Sequence, residues 1–103
     1  MRSAYESGRK HVGRLMVLYT LPRPDGALRL GVVSSRKIGG AVQRNRARRL
    51  LREAFRRNRF QMEGQADVVL IARAALLTAK WADIESELIA LAQRAGLMRK
   101  QAG

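Results

Sequence analysis

The side chains best suited to chemistry in this chain are cations, and most of them lie in one segment. Between residues 35 and 60 the sequence has ten Lys or Arg residues against a single acid, Glu53. Those ten are Arg36, Lys37, Arg44, Arg46, Arg48, Arg49, Arg52, Arg56, Arg57 and Arg59. The guanidinium group presents several donors in a flat arrangement that fits phosphate oxygens. The segment therefore predicts a surface for a polyanion, with nucleic acid as the first partner to consider.

Composition supports this interpretation and removes several others. The 103 residues include 21 Lys or Arg against 8 Asp or Glu, a formal net charge of +13, and 47% are hydrophobic. A chain of this size and composition forms one domain, over residues 1–103, with its own core. It has no Cys, which excludes disulfide scaffolds and cysteine zinc sites. Because the sequence has neither a long apolar run nor a signal-peptide pattern, we expect a cytoplasmic protein that does not span a membrane.

Periodicity predicts the elements that carry these cations. Residues 15–21, 28–34 and 67–73 are predicted strands, and residues 9–12 are a short fourth one. The turn at residues 22–26 contains Pro and Asp-Gly, so we expect the two strands around it to pair as an antiparallel hairpin. If the second and third long strands pair, the cationic segment must be the crossover between them.

The cationic segment itself reads as an amphipathic helix. Its apolar stripe is Ala47, Leu50, Leu51, Ala54 and Phe55. The opposite face is Asn45, Arg48, Arg49, Arg52, Arg56 and Arg59. Solvated helix faces usually mix charges, whereas cations repeated at i+4 repel one another. This pattern favours a face that binds RNA or DNA over an ordinary surface.

A second helix is predicted from about Ala79 to Ala95. We expect Thr78 to be its N-cap and Gly96 its C′ residue. Its acids, Asp83, Glu85 and Glu87, are interpreted as helix-start electrostatics. The order of elements predicts an α+β fold in which helices pack on a small mixed sheet of three or four strands.

Within this framework, residues 36–56 closely resemble the signature of the bacterial ribonuclease P protein component. They read RKIGGAVQRNRARRLLREAFR, a basic pair and glycine turn running into Arg-Asn-Arg and a basic amphipathic helix. The predicted strands at residues 17–19, 30–32 and 69–73 are similar to the family in order and spacing. The resemblance covers roughly residues 4–100.

The resemblance implies a fold and a function. The fold would contain a left-handed βαβ crossover through the arginine-rich helix. The chain would be a subunit of an endoribonuclease in which a catalytic RNA, with divalent metal such as Mg²⁺, removes the 5′ leader of precursor tRNA. The protein would bind the catalytic RNA in a one-to-one complex and contact the leader. It would supply no catalytic group, hold no cofactor or metal, and bind no small-molecule substrate.

Site residues also follow from the resemblance. The RNA-facing set would be Arg36, Lys37, Arg44, Asn45, Arg46, Arg48, Arg49, Arg52 and Arg56. Tyr5 and Tyr19 would border the leader-binding cleft, where aromatic rings stack on unpaired bases.

The chain departs from the family pattern at three positions. Only four residues precede Tyr5, which predicts a shorter cleft wall or a start upstream of Met1. Gly40 replaces an Asn of the turn, which predicts the loss of one turn contact. Met98 stands where an aromatic is common, which weakens a third stacking contact.

Other functions explain the residues less well. A protein-only nuclease would need clustered carboxylates or histidines to hold metal, and the acids here are scattered around a single His11. A ribosomal-type structural RNA-binding protein fits the composition but not the signature, and we keep it as the alternative. A DNA-reading helix would need base-contacting side chains or a dimer seam. A membrane-bound helix would need the apolar stripe that the sheet uses.

Overall fold

The computed structural model describes residues 8–23 and 26–99. Its strands and helices, in chain order, are β1 (Arg9–Val12), β2 (Met16–Pro22), β3 (Arg29–Val33), α1 (Ala41–Asn58), β4 (Ala66–Ala72) and α2 (Trp81–Arg94). Three short 3-10 turns accompany them, at Arg36–Ile38, Arg59–Gln61 and Ala74–Thr78. The predicted α+β class and the four predicted strands are confirmed.

The sheet is mixed, with the strand order β1-β2-β4-β3. β1 and β2 are antiparallel, β2 and β4 are antiparallel, and β3 and β4 are parallel. Tyr19 therefore lies opposite Val69, and Gly31 lies beside Val69 on the other side. The parallel β3–α1–β4 unit confirms that the arginine-rich helix is the crossover. Its left-handedness stays a prediction of the resemblance.

The predicted hairpin between β2 and β3 is wrong, because β4 lies between them. The Pro-Asp-Gly turn reverses the chain but does not choose the partner of either strand. β4 has apolar side chains on both faces, with Val68 and Leu70 buried and Val69 and Ile71 half-buried. A strand of that kind gains most from a central position. β3 carries an exposed Arg29 and is suited to the edge.

Both helices contribute to a single hydrophobic core with one face of the sheet. The buried residues of α1 include Ala47, Leu51, Ala54 and Phe55, as its apolar stripe predicts, while Leu50 is half-buried. The buried residues of α2 are Ile84, Leu88, Leu91 and Ala92. The sheet contributes Met16, Leu18, Val68 and Leu70. Because its apolar stripe is in the core, α1 directs its cations away from the sheet.

The ends of α2 are predicted correctly at one terminus only. Gly96 has a φ of 76°, and Leu97 N–H donates to Ala92 O at 2.9 Å, which is the Schellman ending expected of a C′ glycine. At the other terminus, Thr78 is not the N-cap. The helix begins at Trp81, and the Thr78 hydroxyl donates to Ala75 O at 3.3 Å within the preceding 3-10 turn.

Two acids of α2 have structural contacts that the helix-start interpretation missed. The Glu87 carboxylate accepts backbone N–H bonds from Arg14, Leu15 and Met16 at 3.0, 2.7 and 3.0 Å. It therefore fastens α2 to the β1–β2 turn. Glu85 Oε2 accepts from Asn58 Nδ2 at 3.0 Å and links α2 to the end of α1. Only Asp83 lies in the first turn of the helix.

Candidate nucleic-acid interface

The outward side of α1 carries five arginines and one asparagine. We call this set the arginine surface, and it consists of Asn45, Arg46, Arg48, Arg49, Arg52 and Arg56. All of these side chains are exposed except that of Arg48, which is half-buried. Five of the six, with Glu53, line an open groove of about 400 Å³. The structure therefore brings five of these predicted residues together along one groove of α1, and Arg46 is exposed on the same helix.

Arg48 is held in place at the edge of this surface. One of its terminal nitrogens, Nη1, donates to Ser34 Oγ at 3.3 Å, and Nη2 donates to Asn45 Oδ1. The Ser34 hydroxyl in turn donates to Arg44 O at 3.1 Å. This small network joins the end of β3 to the first turns of α1. It fixes the positions of Arg48 and Asn45 before any ligand binds.

Arg56 is paired with the one acid on this helix. Its Nε donates to Glu53 Oε1 at 3.1 Å, and a second bond joins Nη2 to Oε2. The hydrogen bond from Arg56 is the main cause that lowers the pKa of Glu53 below its usual value, and the reciprocal bond raises the pKa of Arg56. Both side chains are exposed, so the pair is worth little to stability. Its effect is to neutralise one cation of the arginine surface.

Three cations of the arginine surface have no such partners. Within residues 8–23 and 26–99, the side chains of Arg46, Arg49 and Arg52 make no hydrogen bond or ion pair with protein groups. Their guanidinium groups keep their donors available for phosphate oxygens. These three side chains are therefore the strongest candidates for direct contact with a polyanion.

The other predicted cations lie beside the start of the helix. Arg36 and Lys37 are exposed in the 3-10 turn before Gly39, whose φ of 142° permits the change of direction into α1. Arg44 is half-buried in the first turns of α1. Gly40 is the N-cap and supplies no side-chain hydrogen bond. An Asn at that position could cap the helix through its side chain, which Gly40 lacks.

Tyr19 lies elsewhere. Along β2 the buried residues alternate with half-buried ones, so Tyr19 is on the face of the sheet opposite to Leu18 and the helices. Gly8 crosses its ring so closely that a Cβ there would lie 2.5 Å from the phenol oxygen. Beside it, a Cβ at Gly31 would make only an ordinary van der Waals contact, with Val69 Cγ2 at 4.0 Å. The structure thus separates Tyr19 from the arginine surface, and Tyr5 lies outside the described residues.

Three features of the site region were not foreseen. Arg59 lies beyond the helix, half-buried, with Nη1 donating to Met62 O at 3.3 Å, so it does not belong to the arginine surface. Arg57 has its Nε 4.0 Å from Glu85 Oε2, toward α2. Phe60 is exposed among these cations. The i,i+3 spacing of Glu53 and Arg56 could have predicted their ion pair from the sequence. The partners of Arg57 and Arg59 could not be predicted in this way, because they depend on tertiary packing.

The acids and the histidine of the chain are not arranged as a metal site in the described residues. The part of the chain that the structure describes has no cluster of three or more His, Cys, Asp or Glu side chains. His11 is half-buried, with its Nε2 enclosed and without a hydrogen-bond partner in that part. Across the same residues, no helix is both long and apolar enough to cross a bilayer.

Nearly the whole chain is similar in sequence to known proteins. The family model described as Ribonuclease P matches residues 2–96. The ribonuclease P protein component of Syntrophomonas wolfei is 34% identical over 101 residues, covering 98% of this chain and 85% of the relative. That of Clostridium botulinum is 40% identical over 97 residues, covering 93% and 87%.

Solved structures agree with these matches. The RNase P protein of Staphylococcus aureus superposes with a TM-score of 0.79 at 27% identity, covering 95% of this chain and 90% of that one. The RNase P protein of Thermotoga maritima gives a TM-score of 0.79 at 28% identity, covering 90% and 88%. The small α+β fold, with its mixed sheet and two helices, is therefore shared with both proteins.

Proposed function

The chain belongs to the ribonuclease P protein family, and from that premise we propose that its arginine surface binds the catalytic RNA of the enzyme. The single observation that carries this assignment is the set of unpaired cations on α1. Arg46, Arg49 and Arg52 are exposed on a helix whose other side is buried, so the core fixes the helix while its guanidinium groups stay free. A rigid cationic surface of this kind suits the backbone phosphates of a folded RNA.

The opposite face of the sheet is assigned to the substrate. There Tyr19 lies opposite Val69, whose other neighbour is the exposed Gly31, and a half-buried ring beside a residue without a side chain suits an unpaired base. We propose that this face borders the 5′ leader of precursor tRNA. The complex then acts in the cytoplasm as an endoribonuclease that releases the leader and leaves the mature 5′ end.

The chemistry of cleavage is assigned to the RNA. The divalent metal of the reaction, such as Mg²⁺, would be held mainly by RNA phosphates. This chain's residues bind and orient the two RNAs, and the positive charge they supply lowers the repulsion between the two polyanions. Family membership makes a ribosomal-type role without processing the weaker candidate.

The test of the assignment is the salt dependence of binding to a bacterial ribonuclease P RNA. Arg49→Ala removes one free guanidinium, so affinity should fall several-fold and the slope of log K against log salt should decrease by about 0.7–0.9. Arg94→Ala is the matched control, since it removes the same charge from an exposed position on α2. Equal effects of both variants would show that binding follows net charge and not the arginine surface.

A further inference from the structure

Phe60 is a large apolar side chain that the fold does not use. Its residue is 71% exposed, and it is absent from the core and from the residues packed against the core. The other phenylalanine of the chain, Phe55, lies five residues earlier, in α1, and is buried. Exposing an aromatic ring to water is unfavourable, and a ligand that covers the ring would recover that free energy.

The backbone that carries Phe60 is fixed on both sides. Before it, Arg59 donates from Nη1 to Met62 O at 3.3 Å. After it, Gln61 Nε2 donates to Asn58 Oδ1 at 3.0 Å. The buried Asn58 is itself anchored, because its Nδ2 donates to Ala54 O at 2.8 Å. Phe60 therefore projects from an ordered turn, and little backbone freedom would be lost when a ligand binds.

Phe60 lies directly after the helix that carries the arginine surface. α1 ends at Asn58, whose backbone angles of −109° and 4° depart from the helix, and Phe60 is the middle residue of the 3-10 turn Arg59–Gln61 that follows. The four residues before Phe60 include the cations Arg56, Arg57 and Arg59. An exposed apolar ring therefore follows the cationic end of α1.

We propose that Phe60 is a stacking site for an unpaired nucleobase, whose flanking phosphates are held by the exposed cations at the end of α1. A flat apolar ring beside guanidinium groups matches the two parts of a nucleotide, its base and its phosphate. This inference rests on the proposed function and extends the RNA contact past the end of α1. The base comes either from the catalytic RNA or from the precursor tRNA.

Two titrations separate these sources. The first measures binding of the full chain to the catalytic RNA, and the second measures binding of precursor tRNA to the assembled complex. Phe60→Ala should weaken one of them about 5- to 100-fold, the range that loss of one base–aromatic stack produces. A loss in the first assigns the base to the catalytic RNA, and a loss in the second assigns it to the precursor.

Further variants show whether stacking is the cause. Phe60→Trp should keep the affinity, and its fluorescence should be quenched by RNA relative to the wild type, whose one tryptophan is Trp81. Phe60→Leu keeps an apolar side chain but loses the ring, so it should bind more weakly than wild type. Thermal unfolding checks that each variant folds.

Three results would overturn the proposal. Unchanged affinity of Phe60→Ala in both titrations, while the wild type binds RNA, removes the stacking site and leaves the proposed function intact. A Phe60→Ala variant that alters only self-association, measured by sedimentation, identifies the ring as a contact between copies of the chain. A wild-type chain that binds neither RNA removes both the stacking site and the proposed function.

Discussion

At the scale of single residues, the partners of each arginine matter more than the number of arginines. Arg48 is held by Ser34 and Asn45, Arg56 is paired with Glu53, and Arg49 has no partner among the described residues. The sequence predicts which cations share a helix face, because helical periodicity fixes that. It cannot predict that Ser34, fourteen positions before Arg48, holds the guanidinium, because that contact depends on how β3 meets α1.

The pairing of Arg56 gives a prediction of its own. Glu53→Gln should strengthen binding to the catalytic RNA about two- to fivefold, because the Glu53 carboxylate competes with RNA phosphate for the exposed Arg56 guanidinium. The variant releases the Arg56 guanidinium and removes one negative charge that repels phosphate. The slope of log K against log salt should rise with the affinity. Filter binding over a range of salt concentrations measures both.

A charge-matched control distinguishes this local effect from a change in total charge. Asp83→Asn makes the same change in net charge at an exposed position in the first turn of α2. If Asp83→Asn strengthens RNA binding as much as Glu53→Gln does, then Glu53 has no special influence on Arg56. If Glu53→Gln weakens binding, the ion pair instead positions Arg56 for the RNA.

At the scale of elements, prediction succeeds where the signal is local. The apolar stripe of α1 requires only a helical period and a core to pack on, and the Gly96 ending requires only positive φ at one residue. The predictions that failed concern contacts that depend on tertiary structure. The partner of β2 is decided by the two-sided apolar character of β4, which competes with the turn between β2 and β3. The Thr78 hydroxyl donates a hydrogen bond to Ala75 O within the preceding 3-10 turn and does not cap α2.

The contact of Glu87 with the β1–β2 turn can be tested by its effect on stability. Glu87→Gln replaces one acceptor oxygen with an N–H donor that faces backbone N–H groups, so the free energy of unfolding should fall by about 1–3 kcal/mol. Urea denaturation monitored by circular dichroism provides the measurement. The control is Glu63→Gln, which alters a 57% exposed side chain 3.8 Å from Arg99 and should cost less than about 1 kcal/mol. Equal losses would mean that the three hydrogen bonds of Glu87 add nothing.

At the scale of the whole molecule, the sheet separates two surfaces. α1 directs the arginine surface away from one face, and Tyr19 lies on the other. The signature in the sequence led to both sets of residues, but not to this separation, because it depends on the alternation along β2 and on which face the helices cover. The separation suits a protein that contacts two RNAs at once.

The proposed role of the Tyr19 face leads to a comparison of substrates. Tyr19→Ala should weaken binding of leader-bearing precursor tRNA to the assembled complex more than binding of mature tRNA, by about 5- to 100-fold for one lost stack. Tyr19→Phe keeps the ring and should behave as the wild type does. Equal losses on precursor and mature tRNA would show that Tyr19 supports the sheet and does not touch the leader.

The central claim is that this chain assists an RNA in maturing the 5′ end of tRNA, and reconstitution tests it most directly. Cleavage of precursor tRNA is measured at low magnesium with the chain alone, with a bacterial catalytic RNA alone, and with both together. We expect cleavage at the mature 5′ end only in the mixture. Cleavage by the chain alone, or no stimulation by a chain that binds the RNA, would contradict this claim.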